Sequence, residues 1–412
     1  MSAAALPSDV RRYIASLAVS RFGTGLTLPY TLILLHEVRG IALPTVGLLL
    51  AVPGIVGLAA VPASGVLVDR WGPAAVLRGC LLAQALGSAG LAAAHTPAQA
   101  VPALLLSGLG LGPSFPAGNA LLSALVTRPD QVTRAFGVQF TVINAAIGTG
   151  GVVAASVVDV HRPETFVVLF ATSAFAALLQ AAVLPSAGPP VHADADAPQG
   201  SYREVWADQV FRRMCLVSLL FALTGYAALD AGVPAFARVE GHVSPSAIGL
   251  VFTVNTALIV SLQLPALRLV RSWRRTQALV VAAGLWALAW AVLGLVPVLG
   301  EGLRTPAVLV FGAVFGLGEV FMAPALQPLV NALASDRLRG RYNALSSAAF
   351  SVAFVVSPAL SGALIGLGYG GAWLVALVLG CLVSVSVTLA LRSRLTADQE
   401  GAPALAAPVL AS

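Results

Sequence analysis

Long apolar runs separated by short polar segments dominate this sequence. The runs 44–67 and 73–93 each have the ~20 apolar residues that a helix needs to cross a bilayer. The segment between them is only a few residues long and contains Asp69 and Arg70, which return the chain to water. Pro73 fits the first turn of the following helix. These features predict two membrane-spanning helices joined by a tight turn at the membrane surface.

The same pattern predicts twelve spans along the chain. The first run follows Arg11 and Arg12 like a secretory signal, but it is too long and lacks a clear cleavage site, so we expect it to remain as a helix. The predicted spans lie near residues 10–35, 44–67, 73–93, 99–125, 134–158, 164–184, 211–236, 246–267, 276–299, 306–333, 342–365 and 371–391.

Composition agrees with an integral membrane protein. Of the 412 residues, 58% are hydrophobic and only 10% are charged, which excludes an ordinary water-soluble chain. The net charge of +6 comes from arginines dispersed in short loops, so nucleic-acid binding is not indicated. All 23 basic residues are arginine, which excludes a phosphate-binding Gly-Lys-Ser/Thr loop. Cys80, Cys215 and Cys381 lie far apart in apolar runs, so we expect neither a disulfide nor a metal site.

A polar segment divides the chain into two halves. Residues 185–208 are rich in proline, glycine and acids, which predicts a linker between six-helix halves at 1–184 and 209–391, with a tail at 392–412. The halves resemble each other at an offset of about 208 residues, which places Pro116 on Pro324 and Arg134 near Arg341. Chance similarity between alanine- and leucine-rich helices is the alternative to an internal repeat.

The distribution of arginines predicts the orientation. Eighteen arginines lie at the termini, in the linker and in the loops on the same side, whereas the opposite loops hold only Arg39, Arg162, Arg238 and Arg304. Since cytoplasmic loops carry the excess of basic residues, we expect both termini on the cytoplasmic side, in a bacterial inner membrane.

The turn after the second span carries a family signature. Gly65, Asp69, Arg70 and Gly72 have the spacing Gly-x-x-x-Asp-Arg-x-Gly. This resembles the signature loop of the major facilitator superfamily of secondary transporters, and the twelve spans and the two halves extend the resemblance over nearly the whole chain. The resemblance implies two pseudo-symmetric six-helix halves around a central cavity, with this loop acting as a gate at one membrane face.

Within that superfamily the chain is similar to the drug:proton antiporters. The similarity rests on Gly318, Glu319 and Pro324 in the tenth span and on the motif at 339–342, Arg-Gly-Arg-Tyr, which we expect to form a loop. The resemblance implies proton-coupled efflux of a small, largely lipophilic molecule. A proton-coupled or facilitated importer of a small metabolite remains the alternative, because a symporter and an antiporter can use the same buried acid.

Three charged residues lie inside predicted spans and away from the span ends; a charge at the centre of a membrane helix costs about 2.5 to 3.5 kcal/mol on insertion scales. They are Arg21 in the first span, Asp230 in the seventh and Glu319 in the tenth. By the resemblance these spans line the central cavity, so we expect Glu319, and Asp230 after it, to couple protons, and Arg21 to face the cavity. An ion pair between the halves is the alternative for Glu319, and a structural pair with Arg238 is the alternative for Asp230.

Uncharged polar residues rank second as candidates for the site. Asn119, Asn255 and Gln327 have side chains that can hydrogen-bond a substrate, although bonding between helices explains them equally well. Loop histidines without metal spacing, and the lack of a Gly-x-Ser-x-Gly elbow, argue against an enzyme. We therefore expect no catalytic residue and no cofactor. The expected partners are a small-molecule substrate, protons and the lipid bilayer, and we expect a monomer.

Overall fold

The computed structural model describes residues 6–126, 129–185, 202–334 and 339–401, and every regular element within these ranges is a helix. The predicted all-α class is therefore confirmed. Twelve long helices follow one another, some of them in consecutive pieces. The helices are α1 (Ser8–Thr27, then Tyr30–Ile33 and a π-helical turn at Leu34–Val38), α2 (Leu43–Trp71), α3 (Pro73–Ala93), α4 (Pro97–Leu125), α5 (Pro129–Val157), α6 (Pro163–Val183), α7 (Gln209–Thr224, then a π-helical turn at Ala228–Gly232 and Val233–Val239), α8 (Pro245–Leu269), α9 (Arg275–Leu295), α10 (Glu301–Met322, then Leu326–Leu333), α11 (Arg339–Gly366) and α12 (Gly370–Arg392).

Eleven of these helices are long and apolar enough, within the described residues, to cross a membrane. Helix α1 falls outside that group because it carries Asp9, Arg11, Arg12 and Arg21. It nevertheless packs along α5 and α6 as a member of the bundle. The arrangement is thus the predicted one of twelve helices in two halves.

Helix packing separates α1–α6 from α7–α12. In the first half, α1 packs on α5 and α6, and α3 packs on α4 and α6. In the second half, α7 packs on α11 and α12, and α9 packs on α10 and α12. The main contacts between the halves are α2 with α11 and α5 with α8. Helices α2 and α5 of the first half correspond to α8 and α11 of the second half, six helices later. The contacts α2–α11 and α5–α8 are therefore equivalent, as a twofold repeat requires.

The two halves are held together at the end of the bundle that carries the α1–α2 and α7–α8 loops, which we call the closed end. A Cβ placed on Gly47 of α2 would lie 2.5 Å from the Pro358 carbonyl oxygen of α11 and 2.9 Å from Gly362, so only glycine permits this approach. The Tyr30 hydroxyl donates to the Pro245 carbonyl oxygen across the same boundary (3.4 Å). One buried apolar cluster spans both halves here, whereas a second, running from Leu6 to Leu184, contains first-half residues alone.

The turn after α2 is tighter than the sequence predicted. Gly65, Asp69 and Arg70 lie inside α2, which continues to Trp71 instead of ending near residue 67. Gly72 alone makes the turn, with a φ of 79° that favours glycine, and α3 begins at Pro73. The motif therefore forms a helix end and not a loop, and the structure does not describe the Asp69 side chain.

The start of the second half is anchored by a capping carboxylate. Most of the predicted linker, residues 186–201, lies outside the described ranges, and its last part forms a short helix at Tyr202–Ala207. Asp208 then accepts hydrogen bonds from the backbone N–H groups of Val210 (2.8 Å) and Phe211 (3.2 Å) at the start of α7. It also accepts from the Tyr342 hydroxyl of α11 (2.9 Å). The predicted loop at 339–342 is therefore wrong, because α11 begins at Arg339 and its first turn packs against α7.

The chain after α12 folds back onto α9. A short helix at Ala397–Glu400 places the buried Glu400 carboxylate at the N-terminus of α9, where it accepts from the Thr276 backbone N–H (3.2 Å) and hydroxyl (2.8 Å). Arg275 donates to the carbonyl oxygen of Gln399 (2.8 Å). The negative charge satisfies exposed N–H groups and complements the helix dipole. The first part of the predicted tail is thus part of the folded second half.

Candidate functional site

Glu319 lies deep in the second half. Its residue surface is 4% exposed, and its carboxylate accepts a hydrogen bond from the side-chain amide of Asn255 on α8 (3.3 Å). Two glycines bring the neighbouring helices this close. A Cβ on Gly316 would lie 3.0 Å from the Asn255 carbonyl oxygen, and one on Gly318 would lie 2.4 Å from the Trp286 ring. The helix surface around the acid is therefore shaped by glycine for contact with α8 and α9.

Helix α10 breaks within a turn of Glu319. Its first piece ends at Met322 and its second begins at Leu326, so the chain around Pro324 is not helical. Proline has no N–H to donate, and the neighbouring N–H of Ala325 bonds to the Met322 carbonyl oxygen (3.0 Å), a shorter step than an α-helix makes. The helix is therefore loosened beside the acid.

Asp230 lies near Glu319 on an irregular stretch of α7. It occupies the π-helical turn Ala228–Gly232, a feature that often marks functional sites. It is close enough to Glu319 and to Tyr226 for electrostatic interaction. The structure thus brings together the two acids that the sequence proposed for proton coupling.

Arg238 does not pair with Asp230, so that structural alternative is wrong. Its guanidinium forms a bidentate ion pair with the carboxylate of Glu37 of α1 and also donates to the Val243 carbonyl oxygen (2.6 Å). The pair joins the two halves at the closed end, and its side chains are only 19% and 20% exposed. The sequence placed Arg238 in an outer loop, where its distant partner in the first half could not be recognised.

Arg21 lies apart from the two acids. It lines a cavity inside the first half, between α1, α3, α4, α5 and α6, and no residue of the second half contributes to that lining. The ionisable group that interacts electrostatically with Arg21 is Tyr13, about two turns earlier on α1. The structure therefore does not unite Arg21 with Asp230 and Glu319 in one site, as the positions of the three spans had suggested.

The other predicted polar residues distribute between the two halves. Asn255 contacts Glu319 directly, whereas Asn119 of α4 accepts a long hydrogen bond from Gln139 of α5 (3.5 Å). Gln327, after the break in α10, donates to Asn343 of α11, which in turn donates to Asn331 (2.8 Å). Of the predicted candidates, only Asn255 therefore bonds to a predicted coupling acid.

A buried aromatic cluster that the sequence did not indicate lies beside the second-half site. Trp286 of α9 stacks on Phe315 of α10, with ring centroids 4.9 Å apart and planes 11° apart, and lies 5.3 Å from the ring of Phe221. Tyr226 approaches Trp286 edge-on at 6.1 Å. The sequence does show aromatic residues within the seventh, ninth and tenth spans. Nothing in their spacing indicates that these residues meet near Glu319.

The arrangement combines a buried carboxyl, a neutral amide donor and a second acid, with a packed aromatic cluster nearby. Burial disfavours the charged form of a carboxyl, and a second acid nearby does so as well, so this environment suits a group that gains and loses a proton. Within the described ranges no cluster of three histidine, cysteine or acidic side chains could hold a metal ion.

The family model described as Major Facilitator Superfamily matches residues 14–243 and 239–411. Multidrug resistance protein MdtH of Aeromonas salmonicida is 28% identical over 325 residues, which are 77% of this chain and 78% of that protein. The structure of the nucleoside transporter NupG matches with a TM-score of 0.72 and 12% identity over 94% of this chain and 99% of that one. A D-xylose-proton symporter matches with a TM-score of 0.73 and 16% identity over 95% and 98%. Identities this low show only a shared fold for the two structures, but the family match extends over nearly the whole chain. The chain belongs to the major facilitator superfamily and is a multi-pass membrane transporter.

Proposed function

We propose that this transporter is a proton-coupled exporter of small, largely lipophilic molecules, with Glu319 as the principal proton carrier and Asp230 as its partner. The observation that carries the proposal is the environment of Glu319, which is buried and bonded to Asn255 beside the break in α10. A proton-coupling acid needs an environment in which both protonation states are accessible, and these features supply it.

Proton exchange in this scheme follows the alternation of the site between the two membrane faces. When the site faces the more acidic side, Glu319 takes up a proton and becomes neutral, which lowers the cost of enclosing it among apolar groups. When the site faces the other side, the carboxyl releases its proton and regains the Asn255 amide as a charge-stabilising donor. The broken segment around Pro324 gives α10 a place to bend as the halves rock.

Export is favoured by the name of the relatives. Proteins called multidrug resistance protein are 28% identical over most of the chain.

The orientation and the gate belong to the same proposal. With both termini in the cytoplasm, the closed end faces outward and the opposite end of the bundle faces the cytoplasm. We assign 1–184 and 209–391 to the two halves, 185–208 to the linker and 392–412 to the tail.

The helix end with Gly65, Asp69, Arg70 and Gly72 gates the cytoplasmic face, and the unit is a monomer in the bacterial inner membrane. A reporter that is active only outside the cell should give signal after His95 and after Arg162, and activity at residue 195 would overturn this orientation.

Reconstituted protein tests the role of Glu319. Glu319→Gln mimics the protonated acid, so it should retain substrate binding and exchange but lose accumulation driven by a pH gradient. Glu301→Gln is the matched control, because it makes the same change at the exposed start of the same helix. Gradient-driven transport that survives in Glu319→Gln would transfer the coupling role to Asp230 or make the protein a facilitator.

The direction of transport needs a separate test. A deletion strain should become more sensitive to toxic lipophilic compounds and grow normally on single nutrients if the protein exports. The reverse result, a growth defect on one nutrient with unchanged sensitivity, would establish the importer instead.

A further inference from the structure

The cavity around Arg21 has no role in the proposed proton coupling. Its lining comes from five first-half helices, and none of the lining residues is an acid. The cavity is about the size of one water molecule. The polar side chains that line it are Tyr13, Ser20, Arg21, Gln84, Ser114, Gln139 and Gln180.

Arg21 brings a positive charge into this cavity without a compensating group. Its Nε atom is shielded from solvent and has no hydrogen-bond partner, and the side chain makes no ion pair with any residue in the described ranges. The residue as a whole is partly exposed, but a cation at this depth without a paired acid is still costly, and charges inside membrane helices are kept where they have a partner or a function. The charge therefore calls for an anion.

A second donor is available in the same cavity. Gln180 of α6 is 1% exposed, and its side-chain Nε2 is also without a partner. Gln139 donates to the Tyr13 hydroxyl oxygen (3.4 Å), so the hydroxyl proton of Tyr13 is free to donate elsewhere. Gln84, by contrast, already uses its amide on the Gly110 carbonyl oxygen (3.0 Å). The cavity thus has more hydrogen-bond donors than acceptors, and it contains a cation without a paired acid. This combination is typical of an anion-binding site.

We propose that this cavity binds one small monovalent anion, held by the Arg21 guanidinium and the Gln180 amide. A halide or a single carboxylate group is somewhat larger than the water molecule that the cavity holds, so binding requires a small movement of the lining side chains. The anion neutralises a charge that a water molecule would leave in place. Chloride and the carboxylate of a larger molecule share this chemistry. The site is separate from Glu319, and the proposal holds whether or not transport is coupled to protons.

Thermal unfolding of the purified full-length protein tests the site, because a ligand that binds the folded state raises the unfolding temperature in a saturable way. Chloride is titrated against gluconate at constant ionic strength, and benzoate is titrated against neutral benzamide. The response to the anion should be lost in Arg21→Gln. It should need about tenfold more anion in Gln180→Leu, which removes one hydrogen bond to a charged group. Arg268→Gln, which removes an exposed arginine from the second half, should respond like the wild type.

Each outcome separates the sources or overturns the proposal. A saturable chloride response that depends on Arg21 identifies a free inorganic anion. A response to benzoate without one to chloride or benzamide identifies the carboxylate of a larger molecule. Should Arg21→Gln not fold, Gln180→Leu decides alone. Equal responses in wild type and the folded variants, or none in wild type, would refute the site.

Discussion

Helices α4 and α10 occupy related places in the two halves but differ at matched prolines. Pro116 lies within α4, which runs without interruption from Pro97 to Leu125 and also contains Pro102 and Pro113. Pro324, at the matching position, coincides with the break in α10. A proline thus permits a break in a membrane helix but does not require one. The break occurs in α10, the helix that also carries the buried acid Glu319. The two halves therefore share a fold but differ in the residues at this matched position.

The interiors of the halves differ in charge as well. The first half encloses Arg21 among glutamine side chains, whereas the second half encloses Asp230 and Glu319 among aromatic rings. One repeated architecture therefore supports a cationic and an acidic interior, and each can be altered without the other.

Removing the two matched prolines should have very unequal effects. Pro324→Ala allows α10 to become continuous, a preference worth up to about 3 kcal/mol in a helix interior. We therefore expect turnover to fall about tenfold or more, since a straight α10 resists the bending that alternation requires. Pro116→Ala in the already continuous α4 should change turnover less than about twofold. Initial rates in proteoliposomes measure both, and equal losses would contradict a special role for the break.

The helix end at Asp69 should affect exchange between states more than binding. It lies at the surface end of α2, far along the chain from the residues around Glu319. Asp69→Asn removes one charge, and we expect turnover to fall severalfold to about tenfold, the range typical of lost coupling between states. Substrate affinity, measured by equilibrium binding, should stay within a few-fold. Unchanged turnover at normal expression would reduce the motif to a helix terminus.

The closed end should be sensitive to a single methyl group. In Gly47→Ala the new Cβ meets the backbone of α11, so the contact opens at a cost of about 1 kcal/mol or more, or roughly fivefold in the population of this state. Gly79→Ala is the control, because nothing lies within 4 Å of its Cβ position. Labelling of a cysteine introduced at the closed end reports the change. Equal labelling in both variants would show that the α2–α11 contact does not hold the state.

Two ion pairs with different exposure provide the smallest expected effect. Glu37→Gln weakens the pair across the halves, whose side chains are about one-fifth exposed, and should lower the unfolding temperature by about 1 to 3 °C. Glu164→Gln weakens the pair with Arg162, whose side chains are more than 60% exposed, and should leave it unchanged within error. A larger loss in Glu164→Gln would reverse the assignment of the structural pair.

Sequence reasoning located features that depend on neighbours along the chain. The twelve helices follow from apolar runs, and the burial of Glu319 follows from its position inside one of them. It failed where distant segments meet. Trp286 is one of many apolar residues until α9 packs on α10, and Arg238 could not be paired with Glu37 across 201 residues of sequence. The sequence placed Arg21 with the acids because it indicates how far along a helix a residue lies but not which neighbouring helices its side chain faces.

The contact between Glu400 and Thr276 also has a consequence for biosynthesis. The N-terminus of α9 enters the bilayer well before the ribosome has made the carboxylate that caps it, since the two residues are 124 apart in sequence. Until then its first N–H groups depend on water at the membrane surface. The second half therefore reaches its final packing only after α12 has been inserted and the chain has turned back, so a nascent chain arrested before residue 400 should contain a loosely held α9.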